Sequence, residues 1–412
     1  MRFLALLPLF FLSVLAEKAR FDNYRVYQVV PDNENQLEAL VSLEGLTEYN
    51  FWTDVGQVHD PVDVMVPPHK RDQFQEFLDT YKFRSNVKIE NVQSLIDSET
   101  NKVGLRSNRM EWTNYHKLDE MYNWLDELAA EHPDKVKVVV GGKSYEGRPI
   151  KGIEITFGSN LTGVLLEAGI HAREWISPAG TSWMVNQMLN GKVDPVFKRF
   201  NYLYFPHLNP DGYVYSWEKN RLWRKTRTPY KLGKAVCFGA DPNRNWDFHW
   251  NEIGSSDNPC SETYAGPKAF SEVESKTFSD YLKTVAEEKN LKVFVAYHSY
   301  SQLLLYPWGY TTKPSKDEAL FNRVAKKAVD SLEAVHGKKF KYGNIATTIY
   351  PTSGTTLEWY YNEFNATLSY VYEMRDTGEH GFLLPAEQIL PAAEEHLASL
   401  TTLLSEYEKL NH

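Results

Sequence analysis

Positive charge is in short supply in this sequence: 45 lysines and arginines against 54 aspartates and glutamates give its 412 residues a formal net charge of −9. Polyanions are held by clustered Lys and Arg that release counterions, so nucleic acid is excluded as the expected partner. Long apolar runs are lacking too. The best candidate, residues 3–15 behind the single charge of Arg2, falls short of the roughly 20 apolar residues that span a bilayer, and no later segment comes closer. It reads as a signal peptide over residues 1–16, cleaved after Val14-Leu15-Ala16, rather than as a membrane anchor; a secreted, extracellular monomer with no membrane partner is expected. Cysteine is scarcest of all. With only Cys237 and Cys260, at most one disulfide forms; an even count in a secreted chain favours that bond over two buried free thiols. Repeats and low-complexity tracts are missing. A composition 42% hydrophobic and 24% charged is ordinary for a globular protein, which excludes disorder as the default and leaves length for more than one domain.

What is present divides at about residue 109. Residues 24–30 alternate as a β-strand does, and a helix over 33–44 carries Leu37, Leu40 and Leu43. Strands at 49–53 and 62–66, a helix at 70–81 and a strand at 87–89 complete the order β-α-β-β-α-β. That order predicts a small ferredoxin-like α+β unit, one face of a four-stranded sheet covered by two helices. Residues 97–111 are polar without apolar periodicity and contain Arg106 and Arg109, so they read as an exposed connector open to a trypsin-like protease. Beyond it, short apolar strands (135–140, 150–157, 163–169, 202–206, 293–297, 368–374) alternate with helices (114–131, 178–189, 271–289, 316–335, 386–409). This predicts an α/β domain over 110–412, with a mainly parallel or mixed sheet under helices on both faces. Asn160-Leu161-Thr162 and Asn365-Ala366-Thr367 fit the glycosylation pattern, a weak signal at three residues.

In doubly wound sheets ligands bind beyond the carboxyl ends of the strands, and three strand ends carry chemistry. One runs into His171-Ala172-Arg173-Glu174, one into His298-Ser299-Tyr300, and the last ends at Glu373-Met374-Arg375-Asp376. The two-residue gap between His171 and Glu174 lets an imidazole and a carboxylate converge on one cation from a tight turn, and His298 can complete a two-His-plus-Glu set of the kind that catalytic zinc uses. A lone His-x-x-Glu is common by chance and reads as structural when nothing accompanies it. The spacing is not that of His-Glu-x-x-His, and Trp175 excludes His-x-x-Glu-His.

At these residues the chain resembles the metallocarboxypeptidases of the pancreatic A and B type, over nearly everything after the first 16 residues. The matching segments, in the family's order, are His171 to Trp175, Asn220-Arg221-Leu222-Trp223-Arg224-Lys225, Asp241-Pro242-Asn243-Arg244-Asn245-Trp246, Cys260-Ser261-Glu262-Thr263-Tyr264, His298-Ser299-Tyr300-Ser301 and Glu373-Met374-Arg375-Asp376-Thr377-Gly378. The resemblance implies a mixed sheet of eight strands with helices on both faces, preceded by a pro-domain over 17–109 that covers the cleft. It implies one zinc ion on His171, Glu174 and His298. Asn243, Arg244 and Tyr350 would hold the terminal carboxylate of a peptide or protein, in keeping with the bidentate match between guanidinium and carboxylate. Glu373 would act as base and then acid, and Arg224 would stabilise the oxygen that becomes negative. Arg173 and Tyr300 match residues that contact substrate further along the chain, and Asp241 would support a ligand histidine.

In the family that the chain resembles, specificity depends on the pocket floor, an acidic residue there selecting Lys and Arg and an apolar one selecting aliphatic and aromatic side chains. Alignment on Tyr350 and Trp359 puts Leu357 there, with Ile345, Thr352 and Val371 as walls, an apolar pocket for aliphatic and aromatic side chains. A one-residue excess between Tyr350 and Glu373 leaves an alternative, in which Glu358 enters the pocket and favours basic residues. A rival of another class is a relative that binds peptide termini without cutting them; the presence of Arg224 and Glu373 beside the ligand set argues against it.

Overall fold

The structure, a computed structural model, describes residues 17–46, 48–101 and 110–410. The expected signal peptide and the connector arginines Arg106 and Arg109 lie outside the described residues.

The N-terminal unit runs β1 (Arg25–Val30), α1 (Glu34–Glu44), β2 (Asn50–Phe51), β3 (Val62–Val66), α2 (Arg71–Tyr81), β4 (Arg84–Ile89) and α3 (Val92–Asn101). Its antiparallel sheet has the order β2-β3-β1-β4. Asn33 starts α1 by accepting the Gln36 N–H, the capping role for which a short amide is suited. Side chains of successive strand residues point to opposite faces. Val29, Val62, Val64 and Val66 pack with Leu40, Phe74 and Leu78 under α1 and α2. Val26, Met65 and Ile89 face the other way and join Trp52 to Leu222, Tyr300 and Phe382 of the C-terminal unit. This two-sided burial explains why all five residues of β3 are buried.

The expectation of a connector from residue 97 is corrected: the chain there is still helix, because α3 continues to Asn101. Val92 and Ile96, four apart, are buried on the interface, and the Glu99 carboxylate meets the buried Arg221 guanidinium at 2.8 and 3.0 Å. A stripe this short, anchored by a partner 122 residues away, leaves no periodic signature in the sequence.

The C-terminal unit contains α4 (Leu118–Glu131), β5 (Val136–Lys143), β6 (Pro149–Ile155), β7 (Thr162–Ala168), α5 (Ile176–Asn190), β8 (Phe200–Phe205), α6 (Pro210–Glu218), the hairpin β9 (Pro229–Leu232) and β10 (Ala235–Phe238), and α7 (Val273–Val285). There follow β11 (Leu291–Ser299), β12 (Leu303–Tyr306), α8 (Glu318–His336), β13 (Lys341–Asn344), α9 (Ile345–Thr348), α10 (Thr356–Phe364), β14 (Leu368–Met374) and α11 (Ile389–Glu408). Eight strands form one sheet in the order β13-β12-β14-β11-β7-β8-β6-β5. The central pairs β8/β7, β7/β11 and β11/β14 are parallel, whereas β14/β12, β8/β6 and β6/β5 are antiparallel, so the sheet is mixed. Helices cover both faces: at neighbouring positions of β8, the Tyr204 hydroxyl meets Thr181 of α5, and Phe205 packs edge-on against Phe278 of α7. No helix among the described residues is long and apolar enough to cross a membrane.

The helix expected from residue 114 starts at Leu118, and the one expected from 386 opens with a 3-10 turn before α11. Cys237 of β10 and Cys260 are joined by a disulfide. Beyond the end of β14, the buried Arg375 guanidinium is clamped by Glu395 of α11, its Nε 2.9 Å from Oε2. Removing one partner of such a pair strands the other charge, so Glu395→Ala is expected to cost about 3–5 kcal/mol, read as a lower melting temperature and an earlier urea midpoint.

Candidate active site

The site is assembled at the carboxyl ends of the central strands. β7 stops at Ala168, and Gly169 takes φ +63° in a place where a Cβ would lie 2.5 Å from the Pro206 carbonyl oxygen, so only glycine makes this turn without strain. The turn delivers His171 and Glu174 just before α5. Their loop is tied down by the Ala172 N–H, which donates to the Arg224 carbonyl oxygen at 3.1 Å. His298 lies near the end of β11, and in the parallel ladder it is in register with Glu373 of β14. Two residues back on the same face, Ala296 and Val371 form a second registered pair, and both line the cleft.

His171, Glu174 and His298 are buried, and one ligand atom of each lies within 4.8 Å of the others. His171 Nδ1 is 2.7 Å from Glu174 Oε1, and His298 Nδ1 is 3.2 Å both from His171 Nδ1 and from Glu174 Oε2. Three lone-pair donors converging at such distances in a buried place fit a cation with two imidazole ligands and one carboxylate. Burial holds His298 below the ordinary imidazole value, which favours the neutral form that binds metal. The other nitrogen of His171, Nε2, lies 3.0 Å from Asp241 Oδ1, fixing the ring so that Nδ1 faces the cluster. Asp241 is fully buried, and burial alone would raise its pKa. Arg224, His171 and Arg244 outweigh that and hold it well below the usual carboxylate range.

Arg224 is oriented by the same carboxylate, its Nε and Nη2 at 3.0 and 2.6 Å from Asp241 Oδ2. Glu373 lines the same cavity as the three candidate ligands and Arg224. Burial, and then the Glu174 charge, push it well above the usual carboxylate range. Its nearest basic neighbour in sequence, Arg375, is engaged by Glu395 instead.

Arg244 is buried with Nε on the Gly254 carbonyl oxygen at 2.8 Å and Nη1 on that of Asn243 at 3.0 Å. Its Nη2 meets Asp54 of the N-terminal unit at 3.0 Å. The Tyr300 hydroxyl donates to Asp63 of the same unit at 2.6 Å. Asn243 and Tyr350 line the cavity beside Arg244, as do Trp52, Asp54 and Asp60, so the N-terminal unit supplies part of the cavity's walls. Arg173, expected to contact substrate, is not on the cavity lining; its guanidinium lies 4.1 Å over the Phe382 ring and 3.4 Å from Glu262. Leu357, Ile345, Thr352 and Val371 line the cavity together, whereas the Glu358 carboxylate accepts the Gly309 and Tyr310 N–H groups at 2.7 and 3.1 Å. Sequence reasoning missed Asp54, Asp63 and Glu99, whose partners lie 122 to 237 residues away. A single acid in a loop, a strand or a helix carries no signal of such a contact.

Comparison with known proteins agrees with this geometry. Residues 121–399 match the model of the family described as zinc carboxypeptidase, and residues 27–99 match that of the carboxypeptidase activation peptide. Zinc carboxypeptidase A 1 of Anopheles gambiae is 42% identical over 401 residues, covering 95% of this chain and 91% of the relative. Carboxypeptidase A1 of Bos taurus is 40% identical over 401 residues, covering 94% of each chain. Among solved structures, thrombin activatable fibrinolysis inhibitor aligns with a TM-score of 0.86 and 30% identity, covering 94% of this chain and 100% of that one. Carboxypeptidase A of Helicoverpa armigera aligns at 0.85 and 28%, covering 94% and 98%. The chain therefore belongs to the zinc carboxypeptidase family, as a precursor in which an activation peptide precedes the metallopeptidase domain.

Proposed function

We propose that the protein is a secreted zymogen that, once freed of residues 17–109 by a trypsin-like protease cutting near Arg106 or Arg109, removes single apolar or aromatic residues from the C-termini of peptides and proteins. The observation that carries the specificity is the apolar lining at Leu357, Ile345 and Val371, with Glu358 turned away from the cavity onto backbone amides.

His171, Glu174 and His298 hold the metal, one zinc ion in this reading. When bound, zinc supplies Lewis acidity, making a water molecule more acidic and a carbonyl more electrophilic. The protein's own groups do the rest. Arg244, with Asn243 and Tyr350, seats the terminal carboxylate, which restricts the enzyme to chain ends. This places the last peptide bond between Glu373 and Arg224. Glu373 takes the proton from the attacking water and delivers it to the departing amine, a task favoured by a carboxyl whose affinity for protons is raised by burial. Arg224, held planar against Asp241, donates to the carbonyl oxygen as negative charge develops there. In the precursor, Asp54 occupies Arg244 with a carboxylate of the enzyme's own chain and Asp63 engages Tyr300, which supports latency.

The test is a substrate panel. Trypsin-treated protein is expected to begin within residues 107–113 and to hydrolyse peptides ending in Phe or Leu with kcat/KM at least about 100-fold above those ending in Lys or Arg, since an uncompensated cation in an apolar pocket is strongly disfavoured. The reverse order would assign the pocket to basic residues. Full activity of an intact chain would refute the zymogen reading.

A further inference from the structure

The pocket that receives the terminal side chain is walled by segments distant in sequence, and a single buried carboxylate lies where they meet. Glu358 follows the floor residue Leu357 on α10, and its Oε1 accepts both the Gly309 and the Tyr310 N–H groups. Residues 308–310 are in turn sewn to two wall segments. The Ala346 N–H donates to the Trp308 carbonyl oxygen at 3.1 Å, next to Ile345, and the Thr352 N–H donates to that of Gly309 at 3.0 Å. We propose that Glu358 is a positioning residue that sets the size of this pocket, fixing the 308–310 strip against α10 and through it the walls at Ile345 and Thr352. The inference rests on the reading of the pocket as the apolar site for the terminal residue.

The strip has little slack. A Cβ on Gly309 would lie 2.7 Å from the Thr352 carbonyl oxygen and 3.2 Å from Ile345 Cγ2, so a small displacement of Gly309 is felt directly by both walls. Glu358 is itself held, because the Thr355 hydroxyl donates to its Oε2 at 3.0 Å and accepts its backbone N–H at 3.3 Å. No part of the carboxylate is left to face a substrate, and the residue is wholly buried. Burial pushes it up to about 7. A neutral carboxyl still offers a carbonyl oxygen to both N–H groups, so the geometry depends on an acceptor at this point rather than on charge. Replacing the acceptor by a hydrocarbon leaves the Gly309 and Tyr310 N–H groups and the Thr355 hydroxyl without their partner; they must shift or admit water, and either change alters the walls.

The test compares activated wild type, Glu358→Gln and Glu358→Leu on peptides ending in Phe and in Ala. Glu358→Gln is expected to keep the Phe-over-Ala ratio of kcat/KM within about threefold, and Glu358→Leu to lower it about tenfold, mainly through a higher KM for Phe with kcat less affected. A folded, zinc-loaded Glu358→Leu protein with an unchanged ratio overturns the proposal. So does a Glu358→Gln variant that loses as much as Glu358→Leu, since charge would then be the agent. Should Glu358→Leu fail to fold, Gly309→Ala displaces the same strip with Glu358 in place; a lowered ratio supports the proposal and an unchanged one overturns it. A wild-type panel led by Lys and Arg sinks the apolar reading itself before any variant is compared, whereas with a panel led by Phe and Leu the variants alone decide the role of Glu358.

Discussion

Glu373→Gln is expected to abolish turnover while leaving zinc in place, with kcat falling about 10²–10⁴-fold, the usual contribution of a positioned acid-base group. Glutamine has nearly the shape of glutamate but cannot carry the proton from water to the leaving amine. The proposed ligand atoms belong to His171, Glu174 and His298, so the substitution leaves that candidate metal site intact. Nor is a structural ion pair, because Arg375 is bonded to Glu395. Metal content by elemental analysis together with steady-state kinetics on the activated enzyme checks both halves. Near-normal activity in the variant would assign the proton transfer elsewhere, and loss of zinc would make Glu373 part of the ligand set.

The second large effect is expected at Arg244. Truncating one partner of a buried, hydrogen-bonded charge pair costs about 2–5 kcal/mol, so Arg244→Ala should lower kcat/KM by about 30-fold to several thousandfold. The loss should vanish for substrates whose terminal carboxylate is amidated, since these never engage the guanidinium and are already poor for the wild type. That dependence on the substrate's own charge separates recognition from general damage. The same substitution removes the partner of Asp54 in the precursor, so docking of the N-terminal unit should weaken along with substrate binding. Equal losses on free and amidated termini would mean that Arg244 serves the fold and that the carboxylate is read by another group.

The central strands are legible in the sequence because they are buried on both faces and appear as continuous apolar runs; the run at 368–374 matches β14 to the residue. The candidate metal cluster is legible because its members lie at or just beyond the ends of two such strands and because the matching segments carry a family resemblance; a His-x-x-Glu alone would not stand out. The short strands β12 and β13, the hairpin β9/β10 and the helices α6, α9 and α10 are not. Four residues in a strand carry too little period to stand out, and at nine residues each α10, packed against β11 and β14, and α6, packed against α4, are too short for an amphipathic pattern to show. A one-residue ambiguity in spacing leaves the position of Glu358 open in the sequence. Its bonds to Gly309 and Tyr310, 49 and 48 residues earlier, decide where its carboxylate points, and no local rule contains that information.

The registered pair His298 and Glu373 sits on adjacent parallel strands of one hydrogen-bonded ladder. On the proposed roles, reactivity and taste are thereby housed largely in different materials: the proton carrier shares a stiff ribbon with a metal ligand, and thermal flexing moves the two as one piece. The receiving pocket draws much of its wall from turns and short helices. Mutation can remodel what the enzyme prefers to cut by editing those peripheral segments, with the spacing on which bond cleavage depends left untouched.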